Sequence, residues 1–197
     1  MTEPTPRRRL SADDRRAEIS HAARSLFATN GYHATTTREL ARAAGVSDAL
    51  LYRHFANKRD LLEFVVTEAI ETFSSLPPLE RMEALPTDQL LLRLGHGFLE
   101  RITANLDLIL ILVGNHAEVQ DARFASFIDS AASALGEQLA QRGVAKNADE
   151  GYLSARSFFG SLISFILLQR VLGMDSVRPV DSGRYLEHLV ELTVKGA

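Results

Sequence analysis

Six prolines, at positions 4, 6, 77, 78, 86 and 179, punctuate the chain, and none falls inside a periodic apolar segment. Proline in a helix interior costs about 3 kcal/mol, so the stretches between them are free to be long helices. Their pattern is helical. Ile19, Ala22, Ala23, Leu26 and Phe27 follow the i, i+3, i+4, i+7, i+8 rule. Ser11 followed by Asp14 is a start signal for this helix, and Asn30-Gly31 a stop. Short helices are predicted over 36–43 and 48–55. A fourth starts after Asn57 and carries Leu61, Leu62, Val65, Val66, Ala69, Ile70 and Phe73 towards Pro77-Pro78. Beyond Pro86, helices are expected at about 87–104, 105–116, 121–142, 148–172 and 182–195. The run Leu106 to Val113 also suits a buried strand, but no partner strand is visible, so a helix is preferred. The expectation is an all-α chain of about nine helices. A small N-terminal helix-turn-helix bundle (11–56) follows a disordered basic arm (1–10) and precedes a larger helical bundle (57–197).

Within the small bundle, Thr36 and Glu39 have the spacing of a capping box. Gly45-Val46-Ser47 then makes a three-residue turn in which Gly permits a positive φ and Ser47 caps the next helix. Two short helices joined this way form a helix-turn-helix, whose second helix presents its first residues to base edges in the major groove. Leu51 and Phe55 face inward; Asp48, Ala49, Leu50, Tyr52, Arg53 and His54 lie on or near the other side. Arg53 suits guanine or phosphate, Asp48 cytosine N4, and the Tyr52 hydroxyl phosphate. Lys58 and Arg59 stand in the first turn of the fourth helix, where cations oppose the helix dipole. An approaching phosphate would explain Lys58 there; an ordinary solvated charge is the alternative. Arg7-Arg8-Arg9 reads either as a minor-groove arm or as a solvated tail.

Gly31-Tyr32-His33-Ala34-Thr35-Thr36-Thr37-Arg38-Glu39-Leu40-Ala41, Ala44-Gly45-Val46-Ser47 and Leu51-Tyr52-Arg53-His54-Phe55-Ala56-Asn57-Lys58-Arg59-Asp60-Leu61-Leu62 together resemble the DNA-binding domain of the tetracycline-repressor family. The resemblance covers about 12–62 and implies a homodimeric transcriptional regulator, often a repressor, that leaves a palindromic DNA operator when a small molecule binds its C-terminal bundle. Carried over by position, it makes Thr36, Tyr52 and Lys58 phosphate contacts, with Thr37 and Ser47 beside them, and gives the start of the third helix to the bases. Ala49-Leu50 departs from the family's usual Gly or Pro followed by Thr or Ser, which removes one polar DNA contact.

Residues 151–172 are apolar nearly all round, with a stripe of small residues at Ser157, Gly160, Ser161 and Ser164. Such a helix needs burial on two sides. A twofold-related copy supplies the second side, as the family resemblance implies; a central core helix of a monomer gives the same pattern. The dimer reading places Leu168, Leu186 and Leu189 at the interface. A mostly apolar effector pocket is expected from His96, Leu99 and Thr103 on one helix face and Leu112, Val113 and His116 on another, joined by Phe127 and Phe159. The same residues also read as plain core.

Charge supports the division of labour. Residues 1–60 carry 11 Lys/Arg against 7 Asp/Glu, and the remainder 11 against 18. A basic module on an acidic body fits a nucleic-acid partner for the first part. The chain has no Cys, which excludes disulfides and thiolate chemistry. No Gly-x-Ser-x-Gly, P-loop or paired-His motif appears, so neither an enzyme nor a cofactor or metal site is expected. The uncharged stretch Ser157–Gln169 is shorter than a membrane span of about 20 residues. The start lacks a secretory signal, and a cytoplasmic location is expected.

Overall fold

The computed structural model describes residues 11–74, 82, 84–115 and 122–195. Among these residues there are ten α-helices and no strand. They are α1 (Ala12–Asn30), α2 (Thr37–Ala43), α3 (Asp48–His54), α4 (Lys58–Ser74), α5 (Thr87–Ala104), α6 (Leu106–Gly114), α7 (Ala122–Gln141), α8 (Ala148–Ile166), α9 (Met174–Val177) and α10 (Ser182–Lys195). The apolar run of α6 is helical, with Leu108, Ile109, Ile111 and Leu112 buried. The predicted helix 148–172 is α to Ile166 and then a π-turn over Leu167–Val171, closed by Leu172 N–H to the Leu167 carbonyl at 2.9 Å. The short α9 was not foreseen; Gly173, at φ 72°, turns the chain into it. The basic cluster Arg7-Arg8-Arg9, the Pro77-Pro78 stop and His116 lie outside the described residues.

The packing divides the chain differently from the expected boundary after Ala56. Among the described residues, one compact unit comprises 11–71 and 107–115, so α6 belongs with the helix-turn-helix; the second comprises those of 72–106 and 122–195.

In the first unit, Ile19, Ala23 and Phe27 of α1 and Leu40 of α2 are buried, with Leu51, Phe55, Leu61, Leu62 and Val65. The Phe55 and Phe64 rings meet edge to face at 5.5 Å. Arg16 lays its guanidinium 4.4 Å from the Phe55 ring centre and 4.7 Å from that of Phe64, and donates to the His54 carbonyl at the end of α3. A cation at this carbonyl-rich end is favourable, so the arginine both covers the aromatic pair and closes α3. Ser20 is buried, and its hydroxyl donates to Glu68 of α4.

In the second unit, α7 and α8 form an antiparallel pair. The chain leaves α7 through Gly143 (φ 73°), where Gly143 N–H reaches the Ala140 carbonyl and Val144 N–H the Leu139 carbonyl. That is a Schellman stop. Gly136 and Gly151 let the two backbones touch: a Cβ on Gly136 would lie 2.5 Å from Tyr152 N, and one on Gly151 2.1 Å from the Gly136 carbonyl oxygen. Leu135 and Leu139 of α7, Ala155, Phe158 and Leu162 of α8, Leu90 and Leu91 of α5 and Leu186 of α10 are buried around them.

Candidate nucleic-acid interface

Local chemistry builds the helix-turn-helix. The Thr36 backbone N–H and hydroxyl both donate to Glu39 Oε2, at 2.8 and 2.7 Å, while Thr36 Oγ1 accepts the Glu39 N–H at 3.3 Å. These bonds, with a smaller attraction from Arg42, hold the Glu39 carboxyl below the usual carboxylate range. α2 ends in a second Schellman stop: Gly45 N–H reaches the Arg42 carbonyl and Val46 N–H the Ala41 carbonyl. Gly45 sits at φ 64°, a region that favours glycine. Ser47 Oγ then accepts the Leu50 N–H at 3.2 Å and starts α3.

On α3, Leu51 is buried and anchors the helix, leaving Asp48, Ala49, Tyr52 and Arg53 exposed and Leu50 and His54 half-buried. The Tyr52 hydroxyl donates to Thr37 Oγ1 at 3.3 Å, so two hydroxyls from consecutive helices stand side by side on the exposed face. The cap commits the Thr36 hydroxyl to Glu39.

Lys58 has a different environment from the one expected. Its ammonium donates to the carbonyls of Tyr32 (2.7 Å), Thr35 (2.8 Å) and His33 (3.4 Å), and lies 4.3 Å from the Tyr32 ring centre. Three donors meet three acceptors. A tertiary contact thus explains the cation in the first turn of α4 without any phosphate. Tyr32 is in turn fixed by Asn115, which is buried: Oδ1 accepts the Tyr32 N–H at 2.8 Å and Nδ2 donates to the Ile111 carbonyl.

Sequence reasoning passed over Arg38 and Arg42. Both are exposed on α2, and like Arg53 they have no ion-pair partner among the described residues. By contrast, Arg15 pairs with Glu18, Arg24 with Asp107 and Arg59 with Glu63. The missed signal was their i, i+4 spacing, which puts two cations on one face of α2.

The second unit sorts the other candidates. Ser157, Gly160 and Ser164 are exposed on α8 and Leu168 on the π-turn that follows; Leu153 of α8, which is 63% exposed and was not foreseen, continues the stripe. Ser161 is half-buried, and its carbonyl accepts from the Tyr185 hydroxyl of α10 at 3.3 Å. Leu186 is a correction: it is fully buried against Gly95 of α5, so it belongs to the core of its own unit rather than to an outer face. Leu189 is half-buried, and Leu192, one turn on, is 56% exposed. Of the expected pocket residues, His96, Leu99 and Thr103 line one cleft of about 730 Å³ with Phe165, Gln169 and Arg170. Phe127 and Phe159 are half-buried outside it, the Phe159 ring tilted against that of Phe98 with centres 4.9 Å apart, and Leu112 and Val113 belong to the first unit. Spacing along each helix identified faces but not which faces meet.

Residues 19–65 match the family described as bacterial regulatory proteins, tetR family. Over nearly its whole length the chain is similar to YvkB of Bacillus subtilis (strain 168), an uncharacterized HTH-type transcriptional regulator. The two are 32% identical over 184 residues, 90% of this chain and 94% of that protein. The chain belongs to the tetR family. It is a DNA-binding transcriptional regulator, of a family of regulators rather than enzymes. Two solved tetR-like structures share the fold. AibR in complex with isovaleryl coenzyme A and operator DNA superposes with a TM-score of 0.70 at 21% identity, over 91% of this chain and 98% of that one. FadR from Bacillus subtilis in complex with stearoyl-CoA gives 0.65 at 20%, over 92% and 98%.

Proposed function

We propose that this tetR-family regulator is a cytoplasmic homodimeric repressor that binds a palindromic operator and is released by a small, mostly apolar effector. The exposed stripe Leu153, Ser157, Gly160 and Ser164 on α8, continued by Leu168 in the π-turn and joined by Leu192 on α10, carries this reading. A helix whose core face is already filled and whose outer face sets small residues between exposed leucines suits a second helix pair, and a copy of the same surface supplies one by twofold symmetry. The helix Ala148–Val171 is also long and apolar enough to cross a membrane by length and composition. Serines and a glycine on its outer stripe favour close helix approach over lipid.

A dimer sets two recognition helices on half-sites about 34–36 Å apart. Arg38 and Arg42 on α2 suit phosphates, with Thr37 and Tyr52 as hydroxyl donors beside them. Asp48, Ala49, Leu50 and Arg53 at the exposed side of α3 suit base edges, with Ser47 and His54 at its two ends. Effector release is supported by the lined cleft in the second unit and by the coenzyme A esters in the two complexes of similar fold.

Selection of bound duplexes from a random pool at physiological salt tests the proposal. Recovery of an inverted repeat supports a sequence-specific dimer; recovery of an unrepeated half-site would refute it.

A further inference from the structure

We propose that the cleft between α5, the π-turn and the start of α10 takes a cationic amphiphile, an alkyl or aryl amine, as the effector. The proposal rests on the ligand-responsive reading above and specifies its ligand.

Three observations converge. The cleft lies wholly in the second unit, and its volume of about 730 Å³ is that of small-molecule sites. Its inner wall is apolar, formed by Leu99, Phe165 and Ile166, all buried. In that wall stands Gln169, 7% exposed, whose side-chain amide makes no hydrogen bond in the structure. Its polar atoms are not sealed from solvent, so they open to the cleft and are free to hydrogen-bond a ligand there. It sits in the π-turn Leu167–Val171, a departure from α-geometry of the kind that recurs at functional sites.

Charge selects the ligand class. Glu100, Asp175 and Asp181 line the cleft against a single guanidinium, that of Arg170. Arg170 is 3.9 Å from Asp175, and one oxygen of Asp181 accepts the Arg184 N–H. Glu100 has no partner. The excess is negative, so an ammonium is attracted and carboxylates or phosphates are repelled. The Gln169 carbonyl is an acceptor that an ammonium N–H can use. A coenzyme A ester would bring phosphates to an acidic rim; this cleft does not suit one.

The test uses three probes of equal chain length, decylammonium, decanol and decanoate, below their aggregation thresholds, titrated calorimetrically into the full chain. Decylammonium should bind at least about fivefold more tightly than decanol, with decanoate weakest, and should release selected operator DNA. Gln169→Leu keeps the volume and removes the amide, and should weaken decylammonium more than decanol. Glu100→Gln, on an exposed side chain that leaves folding intact, should narrow the decylammonium-to-decanol ratio. Decanoate binding as tightly as decylammonium, no binding of any probe, or binding without operator release overturns the proposal. The DNA selection separates the two readings: an inverted repeat without amine binding removes only the ligand class, and amine binding without an inverted repeat removes only the dimeric repressor.

Discussion

Arg24 and Asp107 meet in a bidentate pair, Nε and Nη2 each 2.8 Å from a carboxylate oxygen, tying α1 to the first turn of α6. At the far end of α6, Asn115 holds the Tyr32 N–H just beyond α1. α6 is thus fastened at both ends to the segment that leads into the helix-turn-helix. Bidentate charge-assisted pairs are stronger than ordinary hydrogen bonds, and this one is only partly exposed. Asp107→Asn should lower stability by about 1–2 kcal/mol. A double-mutant cycle with Arg24→Ala should give a coupling of about 1 kcal/mol by urea unfolding. Additive effects would show that the pair contributes nothing beyond its separate members.

Lys58→Ala should act on folding rather than on DNA affinity. Removing the ammonium strands three carbonyls, and a loss of about 1–3 kcal/mol is expected. The dependence of operator affinity on salt should stay unchanged, and Lys58→Arg should restore little, because a planar fork does not reproduce three converging donors. A slope reduced by about one unit would mean instead that Lys58 leaves these carbonyls for a phosphate.

The unpaired arginines should separate by role. Arg38→Ala and Arg42→Ala should each weaken all DNA sequences alike and reduce the salt slope by about one unit. Arg53→Ala should redistribute the bases selected at one position of each half-site, at about 1–3 kcal/mol of discrimination. An unchanged selection profile would remove Arg53 from base reading.

Acid should loosen α2 through Glu39. Its folded-state pKa lies below the unfolded value because Thr36 hydrogen-bonds the carboxylate. The ionised form therefore contributes stability above the unfolded pKa, and this is lost as pH falls through the folded one. Glu39→Gln should flatten that part of the acid profile, read by circular dichroism against urea at successive pH values below the ordinary glutamate range. An unaltered profile would place the acid response in other carboxylates.

Glycine replacements should differ in sign. Gly136→Ala drives a methyl to 2.5 Å from the Tyr152 backbone, where nothing flexible can yield, and should cost about 1–3 kcal/mol or more. Gly97→Ala, in mid-α5 with open space around its Cβ, should stabilise by up to about 1 kcal/mol through helix propensity. Gly160→Ala meets nothing within the protomer, so a loss of dimer on that substitution, seen by light scattering, would place Gly160 at the twofold contact.

What the sequence made legible was local. Capping at Thr36 and Ser47 and the stop at Gly45 involve partners within four or five positions, and each stands where spacing predicts. The position of Lys58 was legible but its purpose was not, because its acceptors lie 23 to 26 residues away. Amphipathic pattern likewise showed that α10 has an apolar side. It did not show that Leu186 turns inward onto Gly95 while Leu192 turns out; that depends on a glycine of α5, with four helices between them in the chain. In the sequence Gln169 only ends the uncharged stretch from Ser157; the cleft it lines is built with residues of α5 and of the start of α10.

The caps of α2, α3 and α4 come from Thr36, Ser47 and Asn57, residues of the same short segment. The reading head is therefore complete before it meets a duplex. Association does not have to order the helices that do the reading, so its entropy should be dominated by counterions and water leaving the groove rather than by the chain. The heat-capacity change on operator binding should accordingly be small for the area covered, without the surplus that accompanies coupled folding.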